Sequence, residues 1–161
     1  MKFQIIRKQL SKEVELIMSG PLNETASFPA IELKDISLLE INCRDIDHVN
    51  SIGIRKWVLV MDNLATKNPD LEIHFTGITV PLVQQINTVV GFVPKDAQID
   101  SFFVPFFCKT CEIGENALFR RGKEVKGTDV ELPEITCPGC QKHMELDAHA
   151  KSYFKFLTMH E

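Results

Sequence analysis

Two cysteine pairs, Cys108-Lys109-Thr110-Cys111 and Cys137-Pro138-Gly139-Cys140, constrain this chain more than any other feature. A C-x-x-C turn holds two thiols on one side of a tight bend, with backbone N–H groups free to bond the sulfurs. Two such turns brought together offer four soft donors at tetrahedral corners, the ligand set of structural zinc. The stretch that carries them is rich in turns, punctuated by Gly114, Gly122, Gly127, Pro133, Pro138 and Gly139. About 50 residues of this kind bury too little apolar surface for much stability of their own. A structural zinc ion contributes on the order of 10 kcal/mol to such a fold. Cys108, Cys111, Cys137 and Cys140 are therefore read as the ligands of one structural Zn2+ in a small C-terminal ribbon. The rival reading is a redox dithiol, whose look CPGC has. That chemistry needs one pair inside a βαβ unit, whereas here two pairs share one module. Four thiolates leave no open position for a catalytic water. His143, close behind Cys140, is an alternative ligand, read first as a surface or neighbouring side chain. The gap between the pairs exceeds the roughly 15–20 residues usual in a ribbon. An extended hairpin over Leu118–Arg120 and Glu124–Leu132, or a loop at Arg120–Lys126, is therefore expected.

The fifth cysteine, Cys43, stands alone in an apolar run. Five cysteines in such a pattern fit metal chemistry in a reducing compartment better than a disulfide framework. No apolar run approaches the roughly 18 residues that cross a bilayer. The opening MKFQIIRKQL is too short and too interrupted for a signal segment. The expectation is a cytoplasmic protein. A formal net charge of -4 gives no general attraction for nucleic acid or anionic membrane.

Upstream of the cysteines the periodicities are those of an α/β unit. Phe3–Arg7 and Glu13–Met18 read as strands around a Ser11-Lys12 turn, and Leu38–Cys43 reads as a buried strand. Asn50 or Ser51 then caps a helix whose apolar residues Ile54, Trp57, Val58, Met61, Leu64 and Ala65 recur at three- and four-residue spacing. Asn68-Pro69-Asp70 ends it, and Leu71–Phe75 is the next strand. Thr79, with Pro81 in the first turn, opens a second helix with an apolar face of Leu82, Val83, Ile86, Val89 and Val90, stopped by Gly91. Ala97–Phe107 contains another strand, and Asp147 is expected to cap a final helix holding Tyr153, Phe154 and Leu157. The order is ββ, loop, βαβαβ, then the cysteine module. It implies two units, residues 1–105 and residues 106–161, divided near Pro105.

The stretch LLEINCRDIDHVNSIGIRKW places a polar loop and then a helix start after a buried strand. A helix N-terminus has free N–H groups and partial positive charge, so it suits a phosphate or an acidic partner group. The plainer reading is that Asn50-Ser51 is only a cap and that Gly53 gives close packing. This segment resembles the STAS domain family, the fold of bacterial anti-sigma-factor antagonists. In that family a D-S-S/T-G-L signature opens a helix after an aliphatic strand; here Asn50-Ser51-Ile52-Gly53-Ile54 matches it. GITVPLVQQINTVVGF is similar to the family's next helix and its terminal glycine. The resemblance covers about two thirds of the chain, from Phe3 to about Phe103. It implies a mixed β-sheet with helices on one side and a protein partner at Asn50, Ser51, Ile52 and Gly53. Ile52 stands where the antagonists have their phosphorylated Ser or Thr, and Ser51 is the nearby hydroxyl.

No nucleophile elbow, P-loop, HExxH or GxGxxG is present. His48, His74, His143, His149 and His160 form no triad or metal spacing, and Asp45, Asp47 and His48 read as a solvated loop. Arg120, Arg121 and Lys123, with Lys126, make a small basic patch at the expected hairpin tip, diluted by Glu124, Asp129, Glu131 and Glu134. The first helix is apolar over more than one stripe through Trp57, Val58, Leu59, Val60 and Met61. That excess fits a partner face or a homodimer interface. The expectation is a non-enzymatic, protein-binding regulatory module with a structural zinc site. The alternatives are a nucleic-acid-binding or transcription-associated ribbon protein, and a nucleotide or small-anion sensor at the helix start.

Overall fold

Period-two alternation builds the first sheet. The computed structural model describes residues 1–159, so His160 lies outside the described residues. β1 (Gln4–Leu10) and β2 (Glu13–Ser19) form an antiparallel hairpin turned at Ser11, whose φ is 54°. β3 (Leu38–Asp45) lies parallel to β2, β4 (Glu72–Thr76) parallel to β3, and β5 (Gln98–Ile99) parallel to β4. The result is a mixed sheet in the order β1-β2-β3-β4-β5. α1 (Ser51–Lys67) joins β3 to β4 and α2 (Val80–Thr88) joins β4 to β5. Two crossovers of one hand that step the same way put both helices on one face. That face is buried: Leu16 and Met18 of β2, Leu39 and Ile41 of β3 and Phe75 of β4 are at or near zero exposure. α1 meets it with Gly53, Trp57, Met61 and Leu64. Trp57 stacks on Phe92 at 5.3 Å and donates its Nε1–H to the Phe92 carbonyl at 2.8 Å, so its one polar atom is satisfied inside the core.

α2 stops short of the expected glycine. Thr88 is its last residue, Val89 is already extended (φ -109°, ψ 114°), and Val90 is 95% exposed instead of joining the apolar face. Three β-branched residues in a row, Thr88, Val89 and Val90, are poor helix propagators, so the chain leaves the helix before Gly91.

The single strand expected over 97–107 is two strands in two sheets. β5 ends at Ile99, and Asp100 turns the chain into β6 (Ser101–Cys108). β6 is the centre of a three-stranded antiparallel sheet, between β7 (Ile113–Arg120) and β10 (Glu145–Leu146). The long 118–132 hairpin is not formed. β7 folds back on β6 along its whole length, from Cys108↔Ile113 to Ser101↔Arg120, because this register sets Phe119 beside Phe102 on the buried side at 6.0 Å. β8 (Val125–Lys126) and β9 (Asp129–Val130) make only a small separate hairpin. Pro105, the expected limit between two units, lies inside β6, and its carbonyl accepts from the Asp147 N–H at 2.9 Å.

The final helix is α3 (Ala150–Tyr153), followed by one 3-10 turn (Lys155–Thr158). His149 is its N-cap, not Asp147, whose backbone is taken up by Pro105. The segment docks on α2 and β6. Asn87 Nδ2 donates to the Tyr153 carbonyl at 2.9 Å, and the Tyr153 hydroxyl donates to the Phe103 carbonyl. Phe156 meets Phe102 edge-on at 4.9 Å. One contiguous buried cluster runs from the first sheet through these aromatics to Cys137 and Met144.

The other face of the first sheet carries ordered polar contacts. Asn42 Nδ2 donates to Glu15 at 3.1 Å, and the Thr76 hydroxyl donates to Glu40 at 2.9 Å. His74 bridges Asp100 and Glu72, each at 2.7 Å. Partial burial alone pushes the imidazole pKa down, but the Asp100 and Glu72 carboxylates outweigh it and hold the value above the ordinary 6.5. A raised folded-state value means that His74 adds stability fully below about pH 6.5 and loses it as pH climbs through the folded value. His74→Gln should therefore lower the urea midpoint more at about pH 5.5 than at about pH 8.5. Equal losses at both pH values would count against the bridge.

Candidate functional site

Both C-x-x-C turns are hairpin knuckles of one design. The first closes β6 onto β7 and ends in Glu112 with φ 54°; the second ends in Gln141 with φ 60°. In the second, the Gln141 N–H donates to the Cys137 carbonyl at 2.9 Å and the Cys137 N–H to the Lys142 carbonyl at 2.8 Å. Met144 N–H to the Ile135 carbonyl, 2.7 Å, continues the small ladder. β10 follows directly and pairs Glu145 with Phe107 and Leu146 with Phe106. That pairing swings the second knuckle over the end of β6 where the first one sits.

The four sulfurs lie within 4.8 Å of one another, and Cys108 Sγ and Cys140 Sγ are 3.6 Å apart. A tetrahedral ion with metal–sulfur bonds of about 2.3 Å sets its sulfurs about 3.8 Å apart. The donors fit a metal in chemistry and in spread. Cys108 and Cys137 are buried, Cys111 and Cys140 half-buried. The N–H of Cys111 directed at Cys108 Sγ holds that thiol down at about 7, while sharing with Cys140 Sγ pushes Cys111 up to about 12. Gly139 belongs to the design too. A Cβ there would lie 3.2 Å from Cys111 Sγ, so glycine leaves room for the opposing thiol. The CPGC pattern carried that signal.

Among the described residues the four cysteines are the sole group of three or more His, Cys, Asp or Glu close enough to share an ion. His143 is exposed and pairs with Thr136 in the second knuckle's ladder, outside the sulfur cluster. Cys43 is buried in β3, and burial pushes its thiol pKa far up, which leaves it a packing residue. Asp45, at the end of β3, and Asp47 and His48, in the loop before α1, are exposed.

The helix start is filled from within. Asn50 is the N-cap, and its Oδ1 accepts from the N–H groups of Ile52 at 3.1 Å and Gly53 at 3.0 Å. Its Nδ2 donates to Glu24 at 2.6 Å. Lys56 Nζ donates to the carbonyls of Glu24 and Ala26, so residues 22–26 are strapped across the first turn. Two of the N–H groups an anion would use are taken, and a carboxylate stands beside them. Gly53 faces the strap: a Cβ there would fall 2.0 Å from the Leu22 carbonyl oxygen. Of the four residues expected to meet a partner, Ser51 and Ile52 are on the surface, Ile52 being 52% exposed, while Asn50 and Gly53 are structural.

The basic residues sit at the end of the sheet remote from the cysteines. Arg120 is level with Ser101 and the first knuckle begins at Cys108, about 24 Å along β6. The Arg121 N–H and Nε are bound to the carbonyls of Asp100 and Ile99, and Lys123 lies 3.4 Å from Glu124. These contacts tie the patch to its own surroundings. Among the described residues no helix is long and apolar enough to cross a membrane.

In comparisons with protein-family models, curated proteins and solved structures the chain has no significant match. The fold and the site define a mixed α/β chain whose C-terminal part carries a four-thiol centre compatible with a metal ion.

Gly53→Ala is expected to cost roughly 3 kcal/mol or more, because either the strap or α1 must move. Ser51→Ala should stay within about 0.5 kcal/mol of the parent. Urea denaturation of both variants checks the pair; similar small losses would mean that the strap yields.

Proposed function

We propose that the chain is a non-catalytic interaction module, a STAS-like α/β domain whose C-terminal zinc ribbon is closed by one structural Zn2+ on Cys108, Cys111, Cys137 and Cys140. The observation that carries the reading is the four-sulfur cluster. Soft donors in a compact tetrahedral spread suit zinc, and a full set of four leaves no position for a substrate or water. The ion's contribution is to fix the second knuckle, and with it β10 and the docked α3 segment, onto β6. The order ββ-βα-βα-β, the mixed sheet with helices on one side and the signature-like start of α1 support the STAS-like part of the reading. Ile52, exposed at the place of the family's phosphoacceptor, makes this a constitutive docking surface with no phosphate switch at that residue. Ser51 and Ile52 begin that surface, and it continues along the outward side of α1.

Elemental analysis of reduced, purified protein should give zinc near one equivalent. Chelation removes a term on the order of 10 kcal/mol and should abolish hydrogen-exchange protection over residues 135–146. A reduced, metal-free chain that keeps that protection would sink the zinc reading. Ile52→Arg leaves cap and core in place and should abolish association at the helix start in pull-downs from the source cell; unchanged association would place the partner elsewhere.

A further inference from the structure

The outward stripe of α1 is a seam without an occupant. Ile52, Arg55, Leu59, Asp62 and Thr66 are all exposed and follow one another at spacings of three, four, three and four residues. That is the a/d spacing of a helix-pairing seam, with Ile52, Leu59 and Thr66 in one set of positions and Arg55 and Asp62 in the other. Leu59 is 65% exposed near the middle of the helix. It forms a ridge between two clefts. One, of about 610 Å³, lies between α1 and the 28–34 loop, with Phe28, Ile31 and Leu33 in its wall. The other, of about 480 Å³, lies towards the 91–97 segment, with Leu71, Val93 and Pro94 in its wall. Val90, 95% exposed, immediately precedes Gly91 at the second cleft.

The charges on the seam select the occupant. Arg55 and Asp62 stand two turns apart, about 10.5 Å along the axis, beyond ion-pair reach of each other. Among the described residues neither is in an ion pair within the chain. An antiparallel copy of the same helix, related by a two-fold axis at Leu59, sets Arg55 against Asp62 of the second copy, twice over. The same operation sets Ile52 against Thr66 and lets each Leu59 ridge enter a cleft beside its counterpart. A parallel arrangement would set like charge against like. The surface is self-complementary in charge, as an isologous interface requires.

We infer that α1 is the interface of an antiparallel homodimer, with a second copy of this chain seated on Leu59. The inference rests on the interaction-module reading and names its occupant. α1 alone offers a strip about 26 Å long and about 10 Å wide, roughly a third of the ~800 Å² per partner of a stable interface. The cleft walls add to the strip and still leave the contact below that size, so the dimer is reversible and concentration-dependent.

Sedimentation equilibrium of the zinc-loaded full chain, over a wide concentration range, tests this. The parent should approach twice its formula mass, and Leu59→Arg should shift to the monomer while keeping its zinc and circular dichroism. Arg55→Asp and Asp62→Arg should each weaken the dimer, and the two together should restore it. A monomeric parent at the highest concentration overturns the inference, as does a dimer indifferent to all four variants. A dimer weakened by either charge change and not restored by their combination overturns the antiparallel pairing. If the parent is monomeric but binds another protein through Leu59, the seam belongs to that partner; the dimer inference then fails while the interaction reading stands.

Discussion

β7, β10, both knuckles and the α3 segment take their places from β6. At its start the strand is fixed to the first sheet: the Gly77 N–H donates to the Ser101 hydroxyl at 2.8 Å, and Ile78 bridges Phe102. On one edge it carries β7, on the other β10, and at its end it delivers Cys108. Its buried side, Phe102, Val104 and Phe106, is the floor on which Phe119 and the α3 segment pack. The two knuckles meet because their strands are hydrogen-bonded to the same third strand. A metal ion bound there closes an arrangement that backbone pairing has already brought into range.

The N-terminal half was largely legible because its periodicities are clean. Alternation in VELIM and the three-four spacing of Trp57, Met61 and Leu64 each specify one element on one face. The Asn50 cap, the Pro81 helix start and the Asn68 stop follow from local backbone chemistry. The cysteine module was legible in its ligands and illegible in its strands. β7 reads IGENALFR, in which Phe119 alone is buried, so its partner could not be read from alternation. The pairing is fixed from outside, by the knuckle that turns the chain and by the aromatic surface of β6. The kink at Asp100 was hidden for a similar reason. It depends on contacts to Phe75 and His74, far away in sequence.

The helix start illustrates the difference between a motif and its use. Asn50-Ser51-Ile52-Gly53 can be read as a place where backbone N–H groups await a ligand. In the folded chain the cap consumes two of them and the strap from Leu22 to Ala26 covers the glycine side. What remains outside is Ser51 and Ile52, followed along α1 by the mixed stripe of Arg55, Leu59, Asp62 and Thr66. Gly53 has its place through close approach of two backbones, a steric demand that resides in Leu22 and leaves no mark in the neighbouring residues.

Pro105 has a consequence that reaches past its own strand. In an antiparallel ladder a facing pair exchanges two bonds, and Asp147 gives its N–H to the Pro105 carbonyl. The return bond, from residue 105 to the Asp147 carbonyl, has no hydrogen to form it. β10 therefore ends at Leu146 because its neighbour falls silent, and the chain is released from the sheet one residue later. From there it crosses to α2, where Asn87 receives Tyr153. A ring closed on one strand's nitrogen thus acts as a railway switch for another segment, sending residues 148–159 off the sheet and over the helix.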